Sequence, residues 1–177
     1  MKATGIVRRI DDLGRVVIPK EIRRTMRIRE GDPLEIYTDA GGEVIFKKYS
    51  PVGELSSYAS QYAEALRQET DLAILICDRD RCVAAAGVSK KETVEHRISP
   101  ELENVIESRK TFIGTKQSEA FALEGAQRRI CVAVPIVSAG DISGAVVLSD
   151  TAERQEASES DVKLAAVAAG FLGRLME

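Results

Sequence analysis

Arginine side chains concentrate near the start of this chain, and their type and spacing fit contacts with phosphate groups and guanine edges. Lys2 and Lys20 add two flexible cations to the same segment. A guanidinium presents a planar fork of N–H donors, stays charged at any physiological pH, and matches a phosphate or the edge of guanine. The residues therefore predict a polyanion-binding surface, whose five guanidinium groups belong to Arg8, Arg9, Arg15, Arg23 and Arg24.

The net charge of the whole chain conceals this basic segment. The 177 residues carry 25 Lys and Arg against 28 Asp and Glu, a formal net charge of -3. Residues 1–50 hold 11 basic and 8 acidic side chains, or +3, and the remainder holds 14 and 20, or -6. A local cationic surface attracts polyanions whatever the distant net charge. Charge alone leaves a solvated charged face equally open, so other residues must decide the partner.

The aromatic residues favour duplex DNA over single strands. Proteins that bind RNA or single strands normally stack bases on aromatic side chains. The chain has no Trp, and Tyr37, Phe46 and Tyr49 lie outside the arginine-rich segment. Double-stranded DNA is therefore the better partner.

Short elements separated by turns must position these arginines. Residues 6–10 and 16–18 are rich in β-branched side chains and flank a turn at residues 11–15, which predicts a hairpin. Pro19 fits the first position of a short helix, because its missing N–H would be unpaired there. A second hairpin is predicted around residues 39–42, so the order in the first segment is β-β-α-β-β.

This first segment is too small to be stable alone. About fifty residues with one short helix and neither disulfide nor metal make a marginal core. Residues 16–18 place apolar side chains on both faces of a strand. We therefore expect an obligate dimer in which hairpins of two chains interleave, which doubles the set of arginines.

The rest of the chain predicts an α+β domain that a helix joins to the first segment. Apolar residues at helical spacing predict the joining helix over residues 54–69. Ser99 and Ser158 are typical N-caps of two later helices. Antiparallel strands flanked by helices are typical of small sensor domains, and the predicted strands cover residues 72–77, 82–86, 130–137 and 142–148.

The residues give no sign of an active site or a metal centre. Zinc requires four convergent N or S ligands, and the chain has one His and three Cys without paired C-x-x-C spacing. Phosphate-loop and nucleophile-elbow motifs are also missing from the sequence. We expect no catalytic residue, cofactor or metal, and reduced thiols at Cys77, Cys82 and Cys131. With neither a secretion signal nor a run of about 18 apolar residues, we also expect a cytoplasmic protein without a membrane partner.

Three runs near the start form a recognisable pattern: TGIVR at residues 4–8, DLGRVVIP at 12–19 and EIRR at 21–24. They resemble the swapped-hairpin DNA-binding domain of the AbrB family of transition-state regulators. The resemblance implies that the DNA contacts fall on Arg8, Arg15, Arg23 and Arg24, with Lys2, Arg9 and Lys20 as auxiliaries.

A weaker pattern occurs later, ICVAVPI at residues 130–136 and GAVVL at 144–148. It is similar to that of GAF domains, a family of small-molecule sensor modules. The predicted organisation is an AbrB-like domain over 1–50, a linker helix over 51–70 and a GAF-like sensor and oligomerisation domain over 71–177. A small-molecule effector is expected there, but no ligand position carries over.

In this order, the two domains resemble a family of sporulation transcription factors over essentially the whole chain. That resemblance implies a regulator that activates and represses genes of the developing spore. It also implies a forespore protein associated with the nucleoid, in which two swapped-hairpin dimers join into a tetramer through the sensor domains.

An antitoxin is the main alternative, because related swapped-hairpin proteins often bind DNA, repress their own genes and neutralise a toxin. Such proteins usually end in a short disordered tail, whereas residues 71–177 here predict a folded domain. A small-molecule enzyme in the second domain is less favoured, since nucleophile, base and metal constellations are missing from the sequence.

Overall fold

The computed structural model describes residues 4–177, so Lys2 lies outside the described residues. The chain divides into two units between Tyr49 and Ser50. None of the helices formed by the described residues combines the length and the apolarity needed to span a bilayer.

The first unit contains one short helix and one hairpin, α1 (Lys20–Thr25), β1 (Leu34–Thr38) and β2 (Val44–Lys48). Strands β1 and β2 are antiparallel and place Ile36 opposite Phe46, which confirms the second predicted hairpin. The Asp39 side chain closes its turn by accepting a hydrogen bond from the backbone N–H of Glu43 at 2.9 Å. Pro19 is the N-cap of α1 rather than its first residue, because the helix begins one position later than predicted.

The first predicted hairpin forms its turn but not its strands within this chain. The backbone of residues 6–10 and 16–18 forms no strand. Between residues 4 and 17, the described backbone hydrogen bonds are those of the turn, Asp11 N to Arg15 O and Gly14 N to Asp11 O, both 3.0 Å. A strand exists only where a neighbouring strand pairs with its N–H and C=O groups. A single copy offers these two segments no such neighbour.

The second unit is built on a five-stranded antiparallel sheet in the order β4-β3-β7-β6-β5. Four of its strands agree with the prediction to within a residue at each end, and the two-residue β5 was not predicted. The architecture confirms the expected α+β class. Its elements are α2 (Pro51–Glu54), α3 (Ser56–Thr70), β3 (Ala73–Asp78), β4 (Cys82–Ala86), α4 (Pro100–Ser108), β5 (Phe112–Ile113), β6 (Ile130–Ser138), β7 (Asp141–Ser149) and α5 (Glu159–Leu175).

Both faces of this sheet are covered. Side chains alternate along a strand, so Ile74 and Ile76 join the core beneath α3 and α5. Leu75 and Cys77 point to the opposite face and join the core that contains residues of α4. The unit therefore has three layers, and each face of the sheet carries its own apolar cluster.

The segment predicted to form one joining helix forms two helices, α2 and α3, which are separated at Leu55. Ala59, Ala63 and Leu66 of α3 are buried against the sheet. Tyr58 of the same helix is 59% exposed. The segment is thus an outer layer of the second unit rather than a free-standing connector.

The N-terminus of α5 has the predicted cap. The Asp161 carboxylate accepts from the backbone N–H of Ser158 at 2.6 Å, and Ser158 Oγ accepts from the N–H of Asp161 at 3.3 Å. This reciprocal pair is a capping box, which satisfies two N–H groups that the first helical turn leaves open. Arg154 donates to the same carboxylate and to the carbonyl of Thr70, so one guanidinium ties the end of α3 to the start of α5.

Candidate nucleic-acid interface

A tight turn positions Arg15. The Asp11 side chain accepts hydrogen bonds from the N–H of Leu13 at 3.1 Å and of Arg15 at 2.8 Å. Gly14 has a φ of +76°, a conformation that residues with a Cβ rarely adopt. Asp11 Oδ2 also accepts from Arg15 Nε at 2.8 Å. The turn therefore holds the Arg15 guanidinium at its Nε, while the Arg15 side chain remains 69% exposed.

The same hydrogen bonds stabilise the ionised form of Asp11. The backbone N–H of Arg15 and then its guanidinium lower the pKa of the Asp11 carboxyl below its ordinary value of 3.8. A carboxylate that accepts several N–H bonds becomes harder to protonate. The turn therefore keeps a fixed negative charge beside Arg15 at neutral pH.

Helix α1 positions the second group of cations. Arg23 Nε donates to the carbonyl of Ile18 at 3.2 Å, so the guanidinium lies against the chain that enters the helix. Arg24 occupies the last turn of α1, where a cation interacts favourably with the helix dipole. Lys20 is the first residue of the helix and is exposed.

Arg8 and Arg9 lie on the segment that precedes the turn, and both are exposed. Neither they nor Arg24 form an ion pair with a carboxylate among the described residues. These three guanidinium groups keep their full donor capacity toward an external anion. Of the seven residues predicted to contact DNA, the first unit presents six at its surface, and Lys2 lies outside the described residues.

Arg27 is a feature that the sequence did not reveal. Its φ of 51° places it in the left-handed region, where Gly is the usual residue after a helix. The N–H of Ile28 donates to Arg23 O at 2.8 Å and that of Arg27 to Arg24 O at 3.3 Å, the Schellman pattern. Lys48 Nζ donates to the carbonyl of Arg27 at 2.9 Å. The hydrogen bond from Lys48 thus fixes the end of α1 to β2. The sequence gives no sign of the left-handed backbone at Arg27, because the usual Gly is missing there.

All three cysteines of the chain lie in the second unit. Cys77, Cys82 and Cys131 are free and buried. A hydrogen bond with Cys82 and then burial raise the pKa of the Cys77 thiol, and burial raises the pKa of Cys131 to about 11. Among residues 4–177, no three His, Cys, Asp or Glu side chains come together as a metal-binding group.

Both units match known families. Residues 54–177 match the family model described as stage V sporulation protein T C-terminal, transcription factor. Residues 7–53 match the model described as antidote-toxin recognition MazE, bacterial antitoxin.

Two relatives come from Bacillus subtilis (strain 168). The chain is 50% identical over 179 residues to stage V sporulation protein T, which covers 100% of this chain and 99% of that protein. It is 63% identical over 51 residues to transition state regulatory protein AbrB, covering 29% of this chain and 52% of that protein. The second relative confirms the AbrB-like character of the first unit.

A solved structure confirms the fold of the second unit. The GAF domain/HD domain protein from Geobacter sulfurreducens is similar with a TM-score of 0.52 and 16% identity, over 73% of this chain and 98% of that chain. At this identity the likeness establishes a GAF-like fold and nothing about a ligand.

Proposed function

Because the chain belongs to the stage V sporulation protein T family and is a DNA-binding transcription regulator, we propose that it activates and represses sporulation genes in the developing spore. Its DNA contacts are Arg8, Arg15, Arg23 and Arg24, and Lys2, Arg9 and Lys20 assist them. The chain acts in the cytoplasm of the forespore, at the nucleoid. It is a regulator without catalytic activity, and turnover of a ligand by residues 51–177 would contradict that assignment.

The positioning of Arg15 and Arg23 is the observation that supports this assignment most directly. Each guanidinium is held at its Nε, by Asp11 at 2.8 Å and by the Ile18 carbonyl at 3.2 Å. This leaves the terminal N–H groups free to bind a phosphate or a guanine edge. A positioned guanidinium loses less side-chain entropy when it binds, so these two contribute more than flexible surface cations.

Binding requires a dimer of the first unit. Pro19 is the one buried residue among residues 4–49, and Val7 and Val17 are 87% and 71% exposed. A second copy would cover this apolar surface and pair the two segments that form no strand within one chain. The swapped hairpins then place two sets of arginines along one duplex.

Two such dimers join into a tetramer through the second units. An apolar strip on α5 supports this, since Val167, Phe171 and Leu175 are 62%, 43% and 43% exposed. Phe171 stacks on Tyr62 of α3 with ring centroids 5.4 Å apart, so the strip extends onto both helices. An unpartnered apolar surface of this kind is typical of an association site.

The remaining division of labour follows the predicted boundaries. Residues 1–50 bind DNA, and residues 71–177 sense a small molecule and oligomerise. Residues 51–70 couple ligand binding in the sensor domain to DNA binding. The coupling role is inferred from the position of residues 51–70 in the chain, between the other two segments. Ser50, directly before them, is fixed within the second unit, since its Oγ accepts from Gly53 N at 3.0 Å and donates to Asp78 Oδ2 at 2.8 Å. The acidic excess of residues 51–177 keeps DNA away from the sensor surface.

The salt dependence of DNA binding tests the site. The affinity of Arg15→Ala and Arg23→Ala for a pool of duplex DNA of fixed length is measured by fluorescence anisotropy over a range of salt concentrations. Each phosphate that a variant no longer neutralises decreases the slope of log affinity against log salt by about 0.9. Arg97→Ala removes an exposed arginine of the second unit and leaves the slope unchanged. If both first-unit variants kept wild-type affinity at every salt concentration, the assignment would be wrong.

An antitoxin that represses its own gene is the second candidate, supported by the match of residues 7–53 to the MazE model. The regulator is preferred, because the identity to a sporulation protein extends over the whole chain. A toxin gene beside this one, and inhibition of that toxin by the chain, would favour the antitoxin.

A further inference from the structure

The second unit contains a cavity of about 450 Å3 on the α4 side of its sheet. Leu75 and Ser149 of the sheet line it, and the other walls come from residues 88–93 and 122–128. Leu75 belongs to the same apolar cluster as Leu102 and Ile106 of α4. The volume falls within the range of roughly 300–1,000 Å3 that is usual for small-molecule sites.

A buried hydroxyl lacks a partner at this cavity. Ser149 is 1% exposed, and its Oγ has no hydrogen-bond partner among the described residues. Buried polar groups in folded proteins are nearly always paired, and an unpaired one costs free energy. A bound molecule with a polar group at this point would satisfy the hydroxyl.

One cation and one anion line the same cavity. Arg128 Nη1 donates to the backbone carbonyl of Asp150 at 2.9 Å, which orients the guanidinium and leaves its other N–H groups available. Glu92 also lines the cavity. Among residues 4–177, neither Arg128 nor Glu92 forms an ion pair with another side chain. The two charges are therefore available to a ligand.

The remaining lining combines aliphatic side chains with the polar side chains of Ser89, Thr93 and Gln127, and the two charges limit which ligands fit. Val88, Ala122, Leu123 and Ala126 contribute aliphatic surface. A nucleotide or another polyanion would be repelled by the Glu92 carboxylate, and the single guanidinium of Arg128 would be the one cation of the described lining to offset that repulsion. A zwitterion places one anionic and one cationic group in the cavity, and an apolar body would fill the aliphatic part.

We propose that this cavity binds an α-amino acid with an apolar side chain. The ligand carboxylate pairs with Arg128, the ammonium pairs with Glu92, and the Ser149 hydroxyl takes a further polar contact. The aliphatic side chain lies against Leu75 and Leu123. This inference rests on the proposed sensing role of the second unit and names the class of ligand that the unit senses.

Calorimetric titration of the full chain with L-leucine tests the ligand class, in the absence of DNA. L-leucinamide lacks the carboxylate and 4-methylpentanoate lacks the ammonium, so each binds at least about tenfold more weakly than L-leucine. Cyclic AMP, a phosphate-bearing probe, does not compete with L-leucine for the cavity. L-alanine, L-valine, L-methionine and L-phenylalanine extend the series to other apolar side chains.

Variants of the lining locate the site. Arg128→Gln and Glu92→Gln each weaken the binding of the preferred amino acid by at least about tenfold. Arg97→Gln and Glu119→Gln change exposed charges elsewhere in the second unit and leave that affinity unchanged. Ser149→Ala removes a hydroxyl that has no hydrogen-bond partner without ligand. The variant therefore preserves the thermal midpoint of the free protein and lowers its affinity for the amino acid.

The outcomes separate the ligand class from the sensing role. If no apolar amino acid binds at millimolar concentration, or if 4-methylpentanoate or cyclic AMP binds as tightly, the proposed class is wrong. Full affinity in Arg128→Gln would overturn it as well. Binding that depends on both charges supports the class whatever happens to DNA. Unchanged DNA affinity at saturating amino acid would then reject only the sensing role.

Discussion

The two units of this chain reach their cores in different ways. In the second unit, Ile74, Ile76 and Val147 have no exposed surface, and helices cover both faces of the sheet. In the first unit, Val7, Ile10 and Val17 are 87%, 71% and 71% exposed. The second unit therefore buries its own core, whereas the first unit exposes apolar side chains that the proposed dimer would cover. The arginines that we propose to bind DNA belong to this first unit.

The thiols make this contrast measurable, because all three lie in the second unit. Cys77, Cys82 and Cys131 are buried, and the raised pKa of Cys77 and of Cys131 keeps these two thiols protonated near neutral pH. Alkylation requires an accessible thiolate. The alkylation rate therefore measures local or global unfolding of the second unit and gives no information on the first unit.

The largest effect is expected at Gly144, where β7 pairs closely with β3. An added Cβ would lie 2.0 Å from the carbonyl oxygen of Cys77 and 2.9 Å from the Cα of Asp78. Backbone cannot move aside as a flexible side chain can, so Gly144→Ala lowers the free energy of unfolding by about 3 kcal/mol or more. Urea denaturation and the rate of iodoacetamide labelling both measure this loss.

Gly170→Ala is the matched control in the same unit. Nothing lies within 4 Å of the Cβ that would be added there, and the residue is inside α5. Replacing Gly by Ala within a helix stabilises it by about 1 kcal/mol. If Gly144→Ala labelled as slowly as the parent chain, the close packing of β7 on β3 would be disproved.

The next effect tests the first unit by placing a charge on its apolar surface. Phe46 is 40% exposed and lies opposite Ile36, which is 61% exposed. In a single copy, Phe46→Asp would be a tolerable surface change. In a dimer that covers this hairpin face, a buried carboxylate costs about 2 kcal/mol or more. Sedimentation equilibrium should show the tetramer dissociating into dimers, with loss of DNA binding.

The control for this prediction is Phe46→Leu, which keeps an apolar side chain and retains the tetramer. The labelling rate of the three thiols should stay at the parent value in Phe46→Asp, because the second unit keeps its core. An unaltered assembly and intact DNA binding in Phe46→Asp would mean that the hairpin face is not part of the dimer.

The same difference explains how much of each unit the sequence could predict. Alternating apolar patterns located the four long strands of the second unit, whose side chains the chain itself largely buries. The same alternation located β1 and β2, although their apolar side chains are exposed in a single copy. Residues 6–10 and 16–18 carry a strand pattern without a strand, because neither segment pairs with a neighbouring strand within one chain. The arginines were recognisable because a family motif fixes their positions.

Other features depend on contacts that no local pattern encodes. The short helix α2 that precedes Leu55 is capped by Ser50, whose Oγ accepts from Gly53 and donates to Asp78, 28 residues further along the chain. The unpaired hydroxyl of Ser149 emerges only when the walls of the cavity assemble. The predicted strand over residues 142–148 ends before Ser149, and no local pattern shows that its Oγ lacks a partner.

A smaller effect is expected where α1 ends. Arg27 has a φ of 51°, and Gly adopts this conformation without the steric cost that a Cβ imposes. Arg27→Gly should therefore raise the stability of the first unit by about 0.5–1 kcal/mol, measured as a shift of its thermal midpoint. Arg27→Ala retains a Cβ, serves as the control and should not stabilise. A stability gain in Arg27→Ala equal to that of Arg27→Gly would place the effect in the missing guanidinium rather than the backbone.

The smallest effect concerns the pH dependence of the turn that holds Arg15. The pKa of Asp11 lies below its ordinary value of 3.8 in the folded chain. The carboxylate therefore contributes stability that is fully present above the unfolded pKa and is lost as the pH falls through the lower folded value. An NMR titration of the Asp11 carboxyl should give a midpoint below 3.8.

Asp11→Asn separates the two roles of this side chain. An amide oxygen can still accept from the N–H groups of Leu13 and Arg15, but it carries no charge for the Arg15 guanidinium. The variant should keep the turn, lose this contribution to the pH dependence, and bind duplex DNA more weakly, because the amide NH2 that replaces Oδ2 cannot accept from Arg15 Nε and the guanidinium is no longer positioned. Unchanged or tighter binding in Asp11→Asn would show that the positioning of Arg15 by the carboxylate does not contribute to DNA binding.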